Sequence, residues 1–516
     1  MVSWGACVSV FLLSALAFGL PAKTLDEIQA IIQGGDFVRA RAELSEFLNL
    51  FPNNPNAWNM LGVVEAQQGD YHGAEASFQK ATNLARGFSG AYLNLGHLYQ
   101  ENVTRDPAAL QKGVLTYERL LKFEPANPEA NYQCAFLLLK ESSFQASLDH
   151  LSRLTEEERS RSQALAVRCG DYSGLQRQAE AAATAERLLK SPELQEADVT
   201  AILPAITARH QDALALRLLN GLAARGLASP PALSRLAALA EATGHWQEAR
   251  SALESSAQMQ HSVSVPLLLD LAHVAYQQGD RQGTLSYLAH ARELDPNNAA
   301  VHFFFGMVCV EMNLTEEAFH SLQKATQLNP NNPYYNYALG SVMMSREEAR
   351  DAYPYFQKYC EEKPDDPRGR LALGCAYFYG HDLERAYTAL QSVAGYPQTA
   401  ATAHYFLGRI ANDEGNYSDA KHELLIALRL RPRYADAYAE LGLLDLKQKE
   451  YPAAGQALRK AIEIAPDNYV ANLNLMILYE RVKDPRAPGQ KKRFQEISKL
   501  RKERQMEFLR TIEIKP

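Results

Sequence analysis

The chain has 516 residues, of which 22% are charged and 47% hydrophobic, the composition of a folded protein. That length exceeds what one ordinary hydrophobic core covers, and a formal net charge of −7 argues against nucleic acid as a partner. The cysteines (Cys7, Cys134, Cys169, Cys309, Cys360 and Cys375) contain no CxxC pair and give no support to a disulfide framework, so they read as small buried hydrophobes.

Residues 1–20 are apolar and uncharged, with small residues at Ala17 and Gly19. This stretch predicts either a cleaved signal peptide or a membrane anchor, which favours a chain that is exported (periplasmic or secreted) or tethered to a membrane over a cytoplasmic one. A degenerate helical hairpin follows from Pro21, with Phe37, Ala40, Leu44 and Phe47 in phase. Residues 55–88 carry Trp58, Leu61, Gly62, Gly69, Tyr71, Ala74, Phe78 and Ala81. The next hairpin has Tyr92, Leu95, Gly96 and Tyr99, then about five extra residues around Asn102–Pro107, which are expected to project from the stack. A weaker hairpin runs from Pro128 to about Leu154.

Between Thr155 and Ser229 the signature nearly vanishes while the apolar spacing stays helical, as in Leu214, Leu218, Leu219 and Leu222. This segment reads as divergent helical hairpins, through sequence drift or as a hinge. Gly170-Asp171-Tyr172 is expected to form its inter-helix turn. Order returns from Pro230, and from Ala299 to Asn468 the beat is strict. Glycine recurs every 34 residues at Gly306, Gly340, Gly374, Gly408 and Gly442, and alanine twelve places later at Ala318, Ala352, Ala386, Ala420 and Ala454. Proline keeps the same interval at Pro296, Pro330, Pro364, Pro432 and Pro466, with Gln398 out of step. A final helix is expected at about Gln490–Arg510; it reads as a solvated cap or as a basic helix for anionic lipid or nucleic acid.

A fixed period of this length signals a solenoid of stacked supersecondary units. The pattern in residues 55–88 and 299–468 resembles the tetratricopeptide repeat family. That resemblance implies an all-α, right-handed α-solenoid (superhelix) of about 12–13 helix-turn-helix repeats of 34 residues. The expected organisation is 1–20 leader, 21–154 N-terminal repeats, 155–229 divergent hairpins, 230–484 C-terminal repeats, and 485–516 basic capping helix and tail.

No phosphate-binding loop, zinc-protease or nucleophile-elbow motif occurs, and the 13 histidines are dispersed. His302 and His404 stand at the family's usual Trp position and are expected to pack there. No catalytic residue, cofactor or metal is therefore predicted, and the chain reads as a non-enzymatic scaffold. The family resemblance implies that first helices line a concave face on which a protein or peptide partner lies. Carried onto this chain, its ligand-contacting positions are Phe303, Met307, Tyr334, Tyr337, Met344, Arg368, Leu371, Phe378, Tyr379, Tyr405, Arg409 and Asn412. Several of these could equally belong to the core between repeats. The positions matching the family's clamp for a terminal carboxylate (Asn59, Val63, Asn94, Glu129 and Gln133) lack its lysine and both distal basic residues. Two functions fit: assembly of an envelope or secreted complex, or a regulatory or targeting subunit of a separately encoded enzyme. Sequons at Asn102, Asn313 and Asn416 all fall in expected turns.

Overall fold

The computed structural model describes residues 23–260 and 263–503. The leader at 1–20 and the tail beyond 503 lie outside the described residues. Among the described residues there are 29 helices and no strand. The chain divides into two compact units, Met1–Ser256 and Ala257–Pro516.

The first unit opens with α1 (Leu25–Gln33), α2 (Phe37–Leu50), α3 (Pro55–Gln67), α4 (Tyr71–Leu84) and α5 (Ser89–Glu101). It continues with α6 (Ala109–Leu121), α7 (Pro128–Lys140), α8 (Phe144–Ser152), a one-turn α9 (Glu156–Ser160) and α10 (Ser162–Gly174). Then come α11 (Gln178–Lys190), α12 (Glu196–Thr207), α13 (Asp212–Ala224) and α14 (Pro230–Ala242), with α15 (Trp246–Met259) running across the boundary. The second unit contains α16 (Val265–Gln277), α17 (Arg281–Leu294), α18 (Ala299–Glu311), α19 (Thr315–Leu328) and α20 (Pro333–Ser345). After these lie α21 (Tyr353–Glu362), α22 (Pro367–Tyr379), α23 (Leu383–Gln391), α24 (Ala400–Asp413) and α25 (Tyr417–Leu430). The last four are α26 (Ala435–Lys447), α27 (Tyr451–Ile464), α28 (Tyr469–Arg481) and α29 (Ala487–Glu503).

Leaving α9 aside, the helices pair in sequence, seven pairs to a unit, so the described residues hold slightly more pairs than the sequence suggested. First helices also touch the next first helix, as α3 does α5, α18 does α20, and α24 does α26. Both units are therefore α-solenoids in which each pair covers the open face of its neighbour.

Several first helices start on an asparagine cap, whereas α5, α10, α14, α24 and α26 have no side-chain cap. Asn54, Asn127, Asn298, Asn332 and Asn468 accept a backbone N–H from the first turn, and a proline often follows where no donor is needed. Every pair except α5–α6 then closes through one residue in the left-handed region. Glycine takes it at Gly69, Gly244, Gly279 and Gly415, with φ between +76° and +81°. The same place is held by Asn313, Glu347, His381, Lys449 and Lys483, so the 34-residue beat runs unbroken from Gly279. It also runs through the divergent segment, at Ser142, Gln176, His210 and Gly244. Residues 155–229 are thus regular pairs whose turn positions are not glycine.

Gly170-Asp171-Tyr172 does not form a turn. It lies inside α10, and the turn comes at Leu175–Arg177. Asp171 is fully buried, so it is not free to cap a new helix in the way that Asp70 and Asp280 do. The insertion after α5 also departs from expectation, because it folds back. Asp106 lies 3.0 Å from Lys112 Nζ and accepts from the Tyr71 hydroxyl at 3.4 Å, stapling the loop to the preceding pair. Asn102 is buried, with its Nδ2 donating to Leu98 O, whereas Asn313 and Asn416 are exposed.

Close helix crossing explains the periodic small residues. A Cβ built on Gly408 would sit 2.9 Å from Leu424 Cγ and 3.2 Å from Ala420 O. Gly62 and Phe78, Gly306 and Leu322, and Gly442 and Leu458 repeat the relationship at the same 16-residue offset. Cys134, Cys169, Cys309 and Cys375 are buried in these interfaces, and all five described cysteines are free thiols. At the C-terminal end α29 packs on α28. Ile497 is buried, the Phe494 ring lies 5.1 Å from that of Tyr469, and Gln490 donates to Asn472.

Candidate functional site

The stripe singled out on the first helices of the second unit resolves into three clusters. Phe303 stacks on Tyr335 at 4.7 Å and packs with Met307, Tyr337 and Met344 against the α18–α22 core; Met307 and Met344 are buried in it. Tyr337 lies 4.9 Å from the ring of Tyr359 on α21 and 5.7 Å from Phe356, while the exposed Tyr334 reaches the same Tyr359 edge-on at 6.5 Å.

Tyr359 ties these rings to a charged group. Its hydroxyl donates to Asp366 at 2.6 Å, and the Arg368 guanidinium grips that carboxylate through Nε at 3.0 Å and Nη2 at 2.6 Å. Burial alone would raise the Asp366 carboxyl, but the bonds from Arg368 and Tyr359 outweigh it and hold the group at about 2. A depression of about 570 Å³, lined by residues 362–368 and Gln398, opens beside this pair.

The third cluster is built around Arg409 on α24. Its guanidinium lies 4.6 Å from the ring centroid of Phe378, 5.7 Å from that of Tyr405, and 5.8 Å from those of Tyr379 and Phe406. Nη1 also donates to the Tyr379 hydroxyl at 3.4 Å, and Nε stands 4.0 Å from Glu440. Tyr405 stacks in turn near Tyr434, at 5.1 Å, and burial pushes its phenol well above its ordinary value. Leu371 and Phe378 pack into the core beneath. Asn412 is buried, donating to Glu440 at 2.9 Å and accepting from Lys447 at 2.9 Å.

Of the twelve stripe residues, Tyr334, Arg368 and Tyr379 are exposed. Phe303, Tyr337, Leu371, Tyr405 and Arg409 are half-buried, and Met307, Met344, Phe378 and Asn412 are buried. The surface they support also depends on Tyr359, Asp366, Tyr434, Glu440 and Lys447, none of which the sequence reading placed among the ligand-contacting positions. Asp366 carries a sequence signal, since it is the cap preceding Pro367. Tyr359 lies on a second helix, where nothing marks it.

One further recurrence belongs to the scaffold. The fourth residue of the first helix sends an N–H to the carbonyl of the proline six places earlier. Trp58, Asn131, His302, Asn336, Arg370 and Asn472 do so at distances from 2.7 to 3.1 Å. His404, where Gln398 replaces proline, turns to Glu423 at 2.5 Å instead. Among the described residues no group of three or more His, Cys, Asp or Glu side chains could hold a metal ion, and no helix is long and apolar enough to cross a membrane.

Sequence models of the tetratricopeptide repeat match residues 25–89, 275–342, 371–420 and 413–469. The chain is a tetratricopeptide-repeat protein. Solved structures of similar fold include the APC/C hetero-tetramer Cut9–Hcn1, 15% identical over 87% of this chain and 95% of that one, with a TM-score of 0.37. Naa15/Naa10 bound to HypK-THB is 14% identical over 91% and 93%, with a TM-score of 0.36. A tetratricopeptide repeat protein from Parabacteroides merdae is 16% identical over 48% and 98%, with a TM-score of 0.40. No curated protein matched.

Proposed function

We propose that this tetratricopeptide-repeat protein is a non-enzymatic interaction scaffold. It holds a segment of a partner protein along the first-helix face of its second unit, in the assembly of an envelope or secreted complex. One observation carries this reading. Tyr334, Arg368 and Tyr379 stand exposed on rings and charges that are already fixed, so binding there would immobilise little that is mobile. Rigid aromatic and guanidinium groups on a buried base are the composition of binding hot spots. The apolar, uncharged residues 1–20 support export or a membrane tether as its setting.

The test is affinity capture from the native compartment with wild type and a Tyr334→Ala/Tyr379→Ala variant, each shown to be folded by circular dichroism. Loss of a partner in the variant is the expected result. Equal recovery of every partner by the folded variant would reject this face as the docking surface. Intact-mass measurement on the same material tells whether residues 1–20 are retained.

A further inference from the structure

The pairs between residues 155 and 229 contain a buried acid whose contacts do not suit a carboxylate. Asp171 on α10 is fully buried, and its Oδ1 has no hydrogen-bond partner among the described residues. Its Oδ2 lies 2.6 Å from Ser147 Oγ on α8, and that Oγ lies 2.9 Å from Ala135 O on α7. A serine hydroxyl has one hydrogen, so an ionised Asp171 and the Ala135 carbonyl would compete for it. A proton on the carboxyl removes the conflict: Asp171 donates to Ser147, and Ser147 donates to Ala135. The remaining Oδ1 is then a neutral carbonyl oxygen, which costs far less to leave without a donor than a buried carboxylate does.

We infer that Asp171 is a neutral carboxylic acid in the folded protein, heading a hydrogen-bond relay through Ser147 to Ala135 that clips α10 to the α7–α8 pair and releases it when the acid ionises. The segment that lost its sequence signature thereby becomes a pH-dependent hinge.

Burial dominates the behaviour of this carboxyl and lifts it to about 8, against the lowering pulls of the Ser147 bond and the Arg168 charge. Arg168 and Cys169 on α10 are the titratable neighbours that act on it or feel it. On α8, both ring nitrogens of His150 are engaged by Cys134 and Asn131 of α7. Lys140 is the last residue of α7 and Glu141 its C-cap. The α9 acids lie on a surface turn, and Arg159 takes part through its carbonyl, which accepts from Arg168. On α11, Arg187 acts on Arg168 and Glu186 pairs with Arg217, while Glu180 and Lys190 are its remaining charges. On α12, Asp198 accepts from the Gln195 backbone and Glu196 accepts from Ser229.

The sign follows from the raised value. An opened α10 gives up its proton near the ordinary aspartate value, whereas the closed state keeps it up to about 8. Closure is therefore most favoured in acid and weakens as pH rises, with no further loss above the folded value. One linked proton makes the opening equilibrium grow about tenfold per pH unit below that point. His150 titrates in the other sense below 6.5, so the clean window lies above it.

The experiment is hydrogen exchange by mass spectrometry on the full chain from pH 6.5 to 9, corrected for intrinsic exchange. Wild type should show opening of the α8 and α10 peptides that rises about tenfold per pH unit to about 8 and then levels. Asp171→Asn should be flat, with α24–α27 peptides unchanged in both. An infrared carboxylic-acid band present in wild type at pH 6.5, fading by pH 9, carries the test should the variant fail to fold. Parallel exchange profiles in wild type and a folded Asp171→Asn, or no such fading band, would overturn the inference.

Discussion

Gly96 on α5 faces the ring of Tyr117 on α6 so closely that a Cβ on Gly96 would fall inside that ring's van der Waals envelope. The two are 21 residues apart, whereas the equivalent pairs elsewhere are 16 apart, and the loop after α5 takes up the difference. The crossing contact is thus held constant while chain length varies. Tyr117 is fully buried and cannot swing into solvent. Gly96→Ala should therefore cost on the order of 1–3 kcal/mol by overpacking. Gly340→Ala, where the nearest Phe356 atoms are 3.0 Å away, should cost less. Urea unfolding of both variants checks the order, and Tyr117→Leu in the Gly96→Ala background should recover part of the loss.

The recurring donor at the fourth position of the first helix gives a sharper substitution test. His302 Nε2 lies 2.9 Å from Pro296 O, the place where Asn336 and Asn472 put an amide. His302→Asn should be close to neutral, whereas His302→Leu removes this donor to the Pro296 carbonyl at a cost of about 0.5–1.5 kcal/mol. Thermal unfolding of the two variants beside wild type decides it. Equal losses would mean that ring volume, not the N–H, is what the site needs.

His150 sets an acid-side prediction. Burial first, then the Arg153 charge, holds its imidazole below the ordinary value. The unfolded chain therefore takes up a proton near 6.5 that the folded chain refuses, and stability falls as pH drops through that window. The slope from one proton is at most ~1.4 kcal/mol per pH unit. Asp171 opposes it there, so the difference between wild type and His150→Gln is the informative quantity. Urea midpoints at pH 7 and pH 5 should show His150→Gln losing less on acidification than wild type does.

Burial also quiets the thiols. It pushes Cys134 and Cys169 up to about 12 and Cys309 and Cys360 up to about 11, and it raises Cys375 as well. Thiolate is the reactive form, so all five should alkylate slowly at pH 8 in the native protein. Cys360 alone among them is partly exposed and should label first. Peptide mapping after timed iodoacetamide treatment, native and in urea, gives the order. Early labelling of Cys375 would contradict the packing described for α22.

The periodic sequence by itself determined the architecture. Gly306, Gly340, Gly374, Gly408 and Gly442 recur because two helix backbones cross there, and no other residue type fits without a shift. The same reading could not see the beat through Ser142, Gln176 and His210. Those residues occupy the left-handed region because the pairs on either side demand it, not because their own chemistry prefers it. The proline-directed donor was hidden for a related reason: Trp, Asn, His and Arg share an N–H and nothing that a residue pattern records. Only the tertiary structure decided which stripe residues stand clear. Met344, Phe378 and Asn412 stand at the twelfth place of their repeats and are buried against the next pair, whereas Tyr334 and Arg368 at the second place are exposed. Asp171 shows the limit most plainly, since its sequence surroundings imitate a turn while its fold neighbours make it a buried acid.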